Sequence, residues 1–152
     1  MMDIREGGLD DPRVVALLRY HVDMNVAVTP EGSVHAFELD RLRASDIHFW
    51  SAWEGETLLG VSALKMLTPD HGEVKSMHVS EPARRTGVGA ALLKFTIEAA
   101  KAFGVSRLSL ETGSFDFFAP ARALYQSHGF AECPPFADYK PDPNSTFMTR
   151  EI

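Results

Sequence analysis

The chain is short of cysteine, of long apolar runs and of positive charge. Its single cysteine, Cys133, cannot form an internal disulfide, which is typical of proteins from a reducing compartment. No segment stays apolar over the ~20 residues of a membrane-spanning helix, and the N-terminal MMDIREGGLDD lacks the basic and then apolar order of a signal peptide. A net charge of -6 argues against a general phosphate-backbone binder. We therefore expect a cytoplasmic protein with no nucleic-acid or membrane partner.

What the chain does contain is typical of one globular domain. A length of 152 residues is enough to bury a self-sufficient core, and 45% of the residues are hydrophobic while 24% are charged. We expect a single domain over residues 1–152. Its acidic balance weakly favours cationic substrates.

Helix and strand patterns alternate along the sequence. Asp11-Pro12 begins a helix expected to end near Pro30, and the clearest helix starts at Val88 and stops at Gly104. Further helices are predicted near residues 37–42 and 120–128, and strands over residues 47–53, 57–66, 72–79, 107–111 and 146–150. The first two strands form a hairpin, and the mixture predicts an α/β fold of the α+β type with a mixed sheet.

The segment VSEPARRTGVGAALL, residues 79–93, joins a predicted strand to the clearest helix. The first backbone N–H groups of a helix have no partner within it and carry partial positive charge, so they bind phosphate readily. Gly87 and Gly89 allow a close approach, and Arg84 and Arg85 add charged donors. The Gly-Lys-Ser/Thr of a P-loop and the third glycine of a dinucleotide motif are both missing. The loop predicts a phosphate site, with a solvated glycine turn as the alternative.

Residues 84–89, RRTGVG, resemble the R/Q-x-x-G-x-G/A motif of the GNAT superfamily of acyl-CoA-dependent N-acetyltransferases. GEVKSMHV before them is similar to the central strand of that family, and RLSLETG and ARALYQSHGF after them resemble its fifth strand and fourth helix. FWSAWEG, SLETG, PARALY and FADYKPDPNSTFM more narrowly resemble the YsnE-like branch of small bacterial acetyltransferases. With that branch included, the resemblance spans nearly all of the chain.

The resemblance implies a GNAT-like fold of about seven strands and four main helices, in which central strands four and five splay apart to hold acetyl-CoA. It places the main chain of Met77, His78 and Val79 beside the pantetheine arm, and a backbone N–H of Met77 or His78 beside the oxyanion. The pyrophosphate would lie on the loop that follows. The loop residues carried over are Arg84, Arg85, Thr86, Gly87, Val88, Gly89 and Ala90.

Glu73 is the candidate general base. It lies eleven residues before Arg84, which matches the general-base glutamate of the histone acetyltransferase-like members of the superfamily. An alkyl ammonium has a pKa of roughly 10, so a base must remove its proton before the nitrogen attacks. In a regular strand, period-two geometry puts Glu73 on the face of Met77 and Val79, near the cofactor arm. The alternatives are a solvated or salt-bridged charge and a water relay.

Tyr125 is the candidate acid for the departing thiolate. It lies in ALYQSHGF, where the superfamily often has such a tyrosine, and a phenol pKa of about 10 suits protonation of a thiolate. The alternative is a helix aromatic that fills the core. Phe118, seven residues earlier, departs from the family pattern, because many members have there an asparagine that contacts the cofactor. That contact is expected to be absent or replaced.

The remaining reactive residues have weaker cases. Cys133 is either an acyl-accepting nucleophile or, more simply, a packing residue beside two prolines. No His, Cys or carboxylate cluster has metal-ligand spacing, so no metal is expected. Residues 136–147, FADYKPDPNSTF, are expected to form a pocket wall or a dimer edge, which leaves a homodimer open. Five more residues are expected to be structural or local hydrogen-bonding groups: His21, His35, Phe37, His48 and His78.

The sequence therefore predicts an acyltransferase that moves acetyl from acetyl-CoA to a primary amine of a small molecule, by direct attack in a ternary complex. One alternative is a non-catalytic acyl-CoA-binding or sensing module, in which Glu73 and Tyr125 are only structural. Another is an acetyltransferase for lysines or N-termini of proteins, which the short chain without a basic tail favours less.

Overall fold

The computed structural model describes residues 2–28, 42–84 and 86–152. Seven strands and three α-helices lie in these ranges. In chain order they are β1 (Asp3–Glu6), α1 (Pro12–Val28), β2 (Ile47–Glu54), β3 (Thr57–Thr68), β4 (His71–Val79), α2 (Val88–Ala102), β5 (Arg107–Gly113), α3 (Ala119–Ser127), β6 (Ala131–Glu132) and β7 (Ser145–Glu151). Single turns of 3-10 helix cover Glu81–Ala83 and Asp116–Phe118.

Most elements agree with the sequence pattern. The hairpin of β2 and β3, the strands β4, β5 and β7, and the helices α1, α2 and α3 are confirmed within a few residues. The pattern does not predict β1 or β6, because strands of four and two residues are too short to display an alternation. The helix predicted near residues 37–42 lies outside the described residues apart from Leu42.

The strands form one mixed sheet of seven, in the order β1-β2-β3-β4-β5-β7-β6. All neighbours are antiparallel except β4 and β5, which run parallel. These two pair only at their beginnings, through His71–Arg107, Gly72–Leu108 and Glu73–Ser109. Beyond Glu73 the two strands have no paired residues, although β4 continues to Val79 and β5 to Gly113. The predicted splay of the central strands is confirmed, and its apex lies at Glu73.

Helices cover the two faces of the sheet differently. On the side called here the α2 face, α2 and α3 bury the largest core, to which the sheet contributes Leu64, Val74, Leu108, Leu110 and Met148. On the opposite side, the α1 face, Val14 and Leu18 of α1 pack against Phe49, Val61 and Ala63 of β2 and β3. The α1 face of β4, β5 and β7 is mostly polar instead, although it includes Phe147, which opposes Glu111. Six polar residues of this face, called here the polar layer, are His71, Glu73, Lys75, Ser109, Glu111 and Thr149.

The α2 helix forms because its apolar positions fall on one side. Leu92, Leu93, Ile97 and Ala100 are buried at a spacing of one, four and three residues. Gly104, whose φ is +89°, ends the helix as predicted, since a left-handed residue directly after a helix suits glycine. None of the helices in the described ranges is long and apolar enough to cross a membrane.

One polar pair lies inside the α2 interface. Thr96 and Ser62 are both 0% exposed, and their hydroxyl oxygens are 2.8 Å apart. We expect Thr96→Val to lower the free energy of unfolding by about 1–3 kcal/mol, because the Ser62 hydroxyl loses its buried partner. The double variant Ser62→Ala/Thr96→Val should recover most of that loss, since it leaves no unpaired group. Denaturant unfolding of the single and double variants measures both effects, and strictly additive losses would contradict the pairing.

Candidate active site

The fourth strand is interrupted by a β-bulge at Ser76, whose φ is +52°. Lys75 pairs with Ala63, and His78 pairs with Val61. Between these two pairs β4 advances by three residues while β3 advances by two, so β4 contains one extra residue. The extra residue leaves the ladder and reverses the alternation of the side chains beyond it.

The bulge decides which side chains of β4 share a face. Directly opposed residues of two strands lie on the same face, so Glu73, Lys75 and His78 all lie on the α1 face with their β3 partners. Met77 and Val79 instead pack into the clusters of the α2 face. The prediction that Glu73 shares a face with Met77 and Val79 is therefore wrong, because it assumed an unbroken strand.

The segment between β4 and α2 has the local geometry of an anion cradle. Gly87 precedes the helix with φ +86°, and the first intrahelical bond runs from the Ala91 N–H to the Gly87 carbonyl. The amides of residues 88–90 thus precede the internal bonds of α2. A Cβ at Gly89 would lie 3.3 Å from the side chain of Leu124, so glycine lets α3 approach the helix start closely.

Side chains of the same segment fold back on it. The Thr86 hydroxyl donates to the Ala83 carbonyl. The Arg84 Nε–H donates to the carbonyl of Val79 at 3.4 Å. Arg85 lies outside the described residues. The described part of the cradle therefore combines a fixed turn with backbone amides at a helix start.

Glu73 lies at the apex of the opening between β4 and β5, and only 3% of it is exposed. Its Oε2 accepts a hydrogen bond of 2.6 Å from the phenol of Tyr139. The Nζ of Lys75 lies 3.6 Å from the same oxygen and 3.3 Å from the Tyr139 oxygen. Glu73 is thus a buried carboxylate paired with Tyr139 and Lys75, which excludes the alternative of a solvated charge. The arrangement is compatible both with a salt-bridged structural group and with a general base.

Tyr139 belongs to the segment 136–147, which folds over the polar layer. Its ring is 5.2 Å from that of Phe136 and 5.5 Å from that of Phe147. Burial, and then the charge of Glu73, raises the pKa of the Tyr139 phenol, so the phenol stays protonated and donates to the carboxylate. In this chain the segment is a wall over the sheet face that carries Glu73.

A second hydrogen-bonded chain runs beside Glu73. The Nε2 of His71 lies 2.7 Å from the Ser109 hydroxyl, which lies 2.9 Å from the hydroxyl of Thr149. Burial, and then the positive charge of Arg107, lowers the pKa of His71, so its imidazole is neutral at pH 7. The sequence did not single out Ser109, Thr149 or Tyr139, because they come together with β4 only through the sheet and the returning loop.

Tyr125 lies on the opposite side of the sheet from Glu73. It is 7% exposed in the core of the α2 face, with its ring 6.0 Å from that of Phe130. Burial raises the pKa of its phenol to about 12, so the group is protonated at neutral pH. This geometry is compatible both with an acid and with a core aromatic.

Phe118 packs against the end of β5. A Cβ at Gly113 would overlap its ring, so the two residues fit only because position 113 is glycine. Arg122 fixes the same turn by donating to the carbonyls of Gly113 and Phe115 at 2.7 and 2.9 Å. An aromatic side chain thus covers the strand end at the position where many members of the superfamily have an asparagine.

The weaker candidates fall in three groups. Cys133 is half-buried, and burial raises the pKa of its thiol, so little thiolate is present at neutral pH.

His48 stacks on Phe103 at 4.2 Å, two strands away from β4, while the ring of His78 lies 5.9 Å from that of Tyr20 on α1. His35 and Phe37 lie outside the described residues, and the backbone of His21 lies in α1. Within the described ranges, no three His, Cys, Asp or Glu side chains form a metal-binding group.

Comparison with known proteins gives concordant results. A model of the acetyltransferase (GNAT) family matches residues 11–130. The chain is 48% identical to an uncharacterized N-acetyltransferase, YsnE, of Bacillus subtilis (strain 168), with 99% of this chain and 100% of that protein covered. It is 42% identical to an uncharacterized N-acetyltransferase, YedL, of Escherichia coli (strain K12), with 98% and 94% covered. A solved GNAT family acetyltransferase from Elizabethkingia anophelis with acetyl-CoA bound is similar with a TM-score of 0.74 at 20% identity, over 99% of this chain and 98% of that chain.

Proposed function

The chain belongs to the acetyltransferase (GNAT) family, and on that premise we propose that it transfers acetyl from acetyl-CoA to the primary amine of a small molecule within a ternary complex. Acetyl-CoA is the acyl donor of the family. The observation that carries the proposal is the opening between β4 and β5, with Glu73 at its apex and Tyr125 on the opposite face of the sheet.

The opening supports a site for the pantetheine arm. Among the described residues, β4 pairs with β5 only through His71, Gly72 and Glu73, while β4 continues to Val79. An extended amide chain can pair with the part of β4 beyond Glu73, through the main chain of Met77, His78 and Val79. The pyrophosphate would then lie on residues 84–90, where the amides at the start of α2 favour an anion.

The two faces supply the two proton-transfer groups from opposite sides. An amine approaching from the α1 face would meet Glu73, which takes a proton from the ammonium. The freed nitrogen lone pair attacks the thioester carbonyl carbon, and a main-chain N–H of β4 stabilises the oxyanion. The C–S bond then breaks, and Tyr125 donates its proton to the departing sulfur on the α2 face. The proton lost from the nitrogen of the new amide restores the phenol through solvent, and Glu73 releases to solvent the proton that it took from the ammonium.

The walls on the α1 face favour a small acceptor. Helix α1 packs over β2 and β3, while residues 136–147 cover β7 and reach Glu73 through Tyr139. We expect the acceptor to approach the carboxylate between these two walls, an arrangement that suits a small amine better than a folded protein.

Direct transfer is favoured over an acyl-cysteine route, because the raised pKa of Cys133 makes its thiol a poor nucleophile. We expect Cys133→Ala to retain turnover. Mass spectrometry of the protein after incubation with acetyl-CoA alone should find no added acetyl group, and a labelled Cys133 would contradict direct transfer.

The cradle can be tested by thermal unfolding. At about 100 times its dissociation constant, acetyl-CoA should stabilise the fold by about 2.7 kcal/mol, which corresponds to about 5–10 °C in Tm. ATP and NAD should give no comparable shift. Gly87→Asp should remove most of the acetyl-CoA shift, because it adds a negative charge where the pyrophosphate is expected.

Gly104→Asp is the matched control for that variant. Gly104 and Gly87 both have positive φ, at +89° and +86°, and an added Cβ meets nothing within 4 Å at either position. The two substitutions therefore impose similar backbone strain at opposite ends of α2. Equal loss of the acetyl-CoA shift in both variants would contradict a pyrophosphate site at Gly87.

A further inference from the structure

We propose that Tyr139 is a positioning residue for this reaction, which holds the Glu73 carboxylate in place and oriented toward the acceptor. The inference rests on the proposed role of Glu73 as the base. Tyr139 lies 66 positions from Glu73 in the chain and approaches it only because residues 136–147 return over the polar layer.

The contact has the geometry of a strong hydrogen bond. The phenol donates to Glu73 Oε2 at 2.6 Å, within the range of charge-assisted O–H···O⁻ bonds. Lys75 forms an ion pair with the same oxygen at 3.6 Å, so the phenol and the ammonium both hold Oε2. An amine would then approach the other oxygen, Oε1. The contacts of Tyr139 and Lys75 with Oε2 fix the orientation of Oε1, because both oxygens belong to one carboxylate.

The phenol itself is held in place from two sides. The rings of Phe136 and Phe147 pack against the Tyr139 ring, and the ammonium of Lys75 lies 5.9 Å from its centre. Because burial and the charge of Glu73 raise the pKa of this phenol, it remains a donor throughout the range in which amine acetylation is measured. Tyr139 therefore differs from Phe136, which shares the packing but has no group to donate.

Several other charges face Glu73 and act on it together with Tyr139. Lys65 opposes it on β3, and Lys75 and His71 flank it on β4. Arg107, itself paired with Glu151 of β7, and Glu111 lie on β5. These charges are present both in the native protein and in a Tyr139 variant. A difference in pH profile between the two proteins therefore reports the effect of the phenol.

The test is the pH dependence of kcat/KM for Tyr139→Phe. Donors to a carboxylate favour its ionised form, so removal of the phenol should move the acid limb of the profile to higher pH. Activity should approach that of the native protein at pH values above the limb. Lys75→Met, which removes the paired positive charge, should move the limb in the same direction.

Phe136→Leu is the matched control, because it disturbs the same aromatic cluster without touching the carboxylate. Its acid limb should stay in place even if Tm falls. A folded Tyr139→Phe variant with an unmoved limb and an unmoved Glu73 carboxyl resonance would overturn the proposal, and so would an equal movement in Phe136→Leu.

A readout independent of turnover separates this inference from the proposed function. The carboxyl carbon of Glu73 can be followed by 13C NMR in protein labelled at glutamate, with Glu73→Gln used for assignment. Its resonance should move in Tyr139→Phe, because the carboxylate loses its hydrogen bond from the phenol. If the resonance moves while Glu73→Gln keeps full turnover, Tyr139 still holds the Glu73 carboxylate and the base assignment alone fails.

Discussion

Glu73→Gln is expected to lower kcat for a primary amine by about 10²–10⁴-fold at neutral pH, the range typical of a lost general base. Glutamine keeps the shape of the side chain and accepts a hydrogen bond from Tyr139, but it cannot take a proton from the ammonium. Binding of acetyl-CoA should be retained, because the variant leaves the loop before α2 unchanged. Steady-state thiol release, with acetyl-CoA affinity measured by calorimetry, tests both parts.

The pH dependence distinguishes a lost base from a damaged site. As the pH rises toward about 10, more of the amine is already neutral, so the deficit of Glu73→Gln should shrink. Glu111→Gln is the matched control, since Glu111 lies on the same face of β5 and accepts a hydrogen bond from Ser145 at 2.8 Å. It should lose far less activity. A deficit that is the same at every pH would contradict the role of Glu73 as the base.

Tyr125→Phe is expected to lower kcat by about 10²-fold, because the departing thiolate loses its proton donor. The pKa of the phenol is about 12, so the native enzyme should show no alkaline limb from Tyr125 below about pH 10. KM for acetyl-CoA should change little, since the ring and its packing remain.

Phe130→Leu provides the control for Tyr125. Phe130 is 3% exposed and its ring packs against that of Tyr125, so the substitution disturbs the same core without removing a hydroxyl. It should lower Tm more than Tyr125→Phe does, while kcat stays near the native value. If Tyr125→Phe lowers Tm but not kcat, the tyrosine is a core aromatic only.

The elements that the sequence predicted best are those with a repeated local pattern. The α2 helix has apolar residues at helical spacing and a glycine at its end, and the β2–β3 hairpin has two apolar runs around a glycine turn. Each of these signals lies within a few residues of the element that it forms. For that reason the mixed sheet, the turn before α2 and the position of Glu73 on β4 could all be predicted from the sequence, while the anion site at that turn stays a prediction.

The face on which Glu73 lies could not be predicted, because the bulge at Ser76 has no local sequence signature. One extra residue in β4 is enough to put Met77 on the opposite face of the sheet from Glu73 and Lys75. Tyr139 could not be predicted as its partner either, since the two residues meet only after the last loop returns over the sheet. Residues 136–147 contain aromatic residues among turn formers, a pattern that does not predict a particular contact. The face on which Glu73 lies and its contact with Tyr139 both depend on tertiary structure.

The most direct test of the account is thiol release from acetyl-CoA across a panel of small primary amines, with the acetylated product identified by mass spectrometry. The account predicts that at least one amine gives equal amounts of free CoA and N-acetyl product. Initial rates with both substrates varied should give intersecting lines, as direct transfer in a ternary complex requires. Tight binding of acetyl-CoA without amine-dependent thiol release would contradict the account, and parallel lines with an acetylated enzyme would contradict direct transfer.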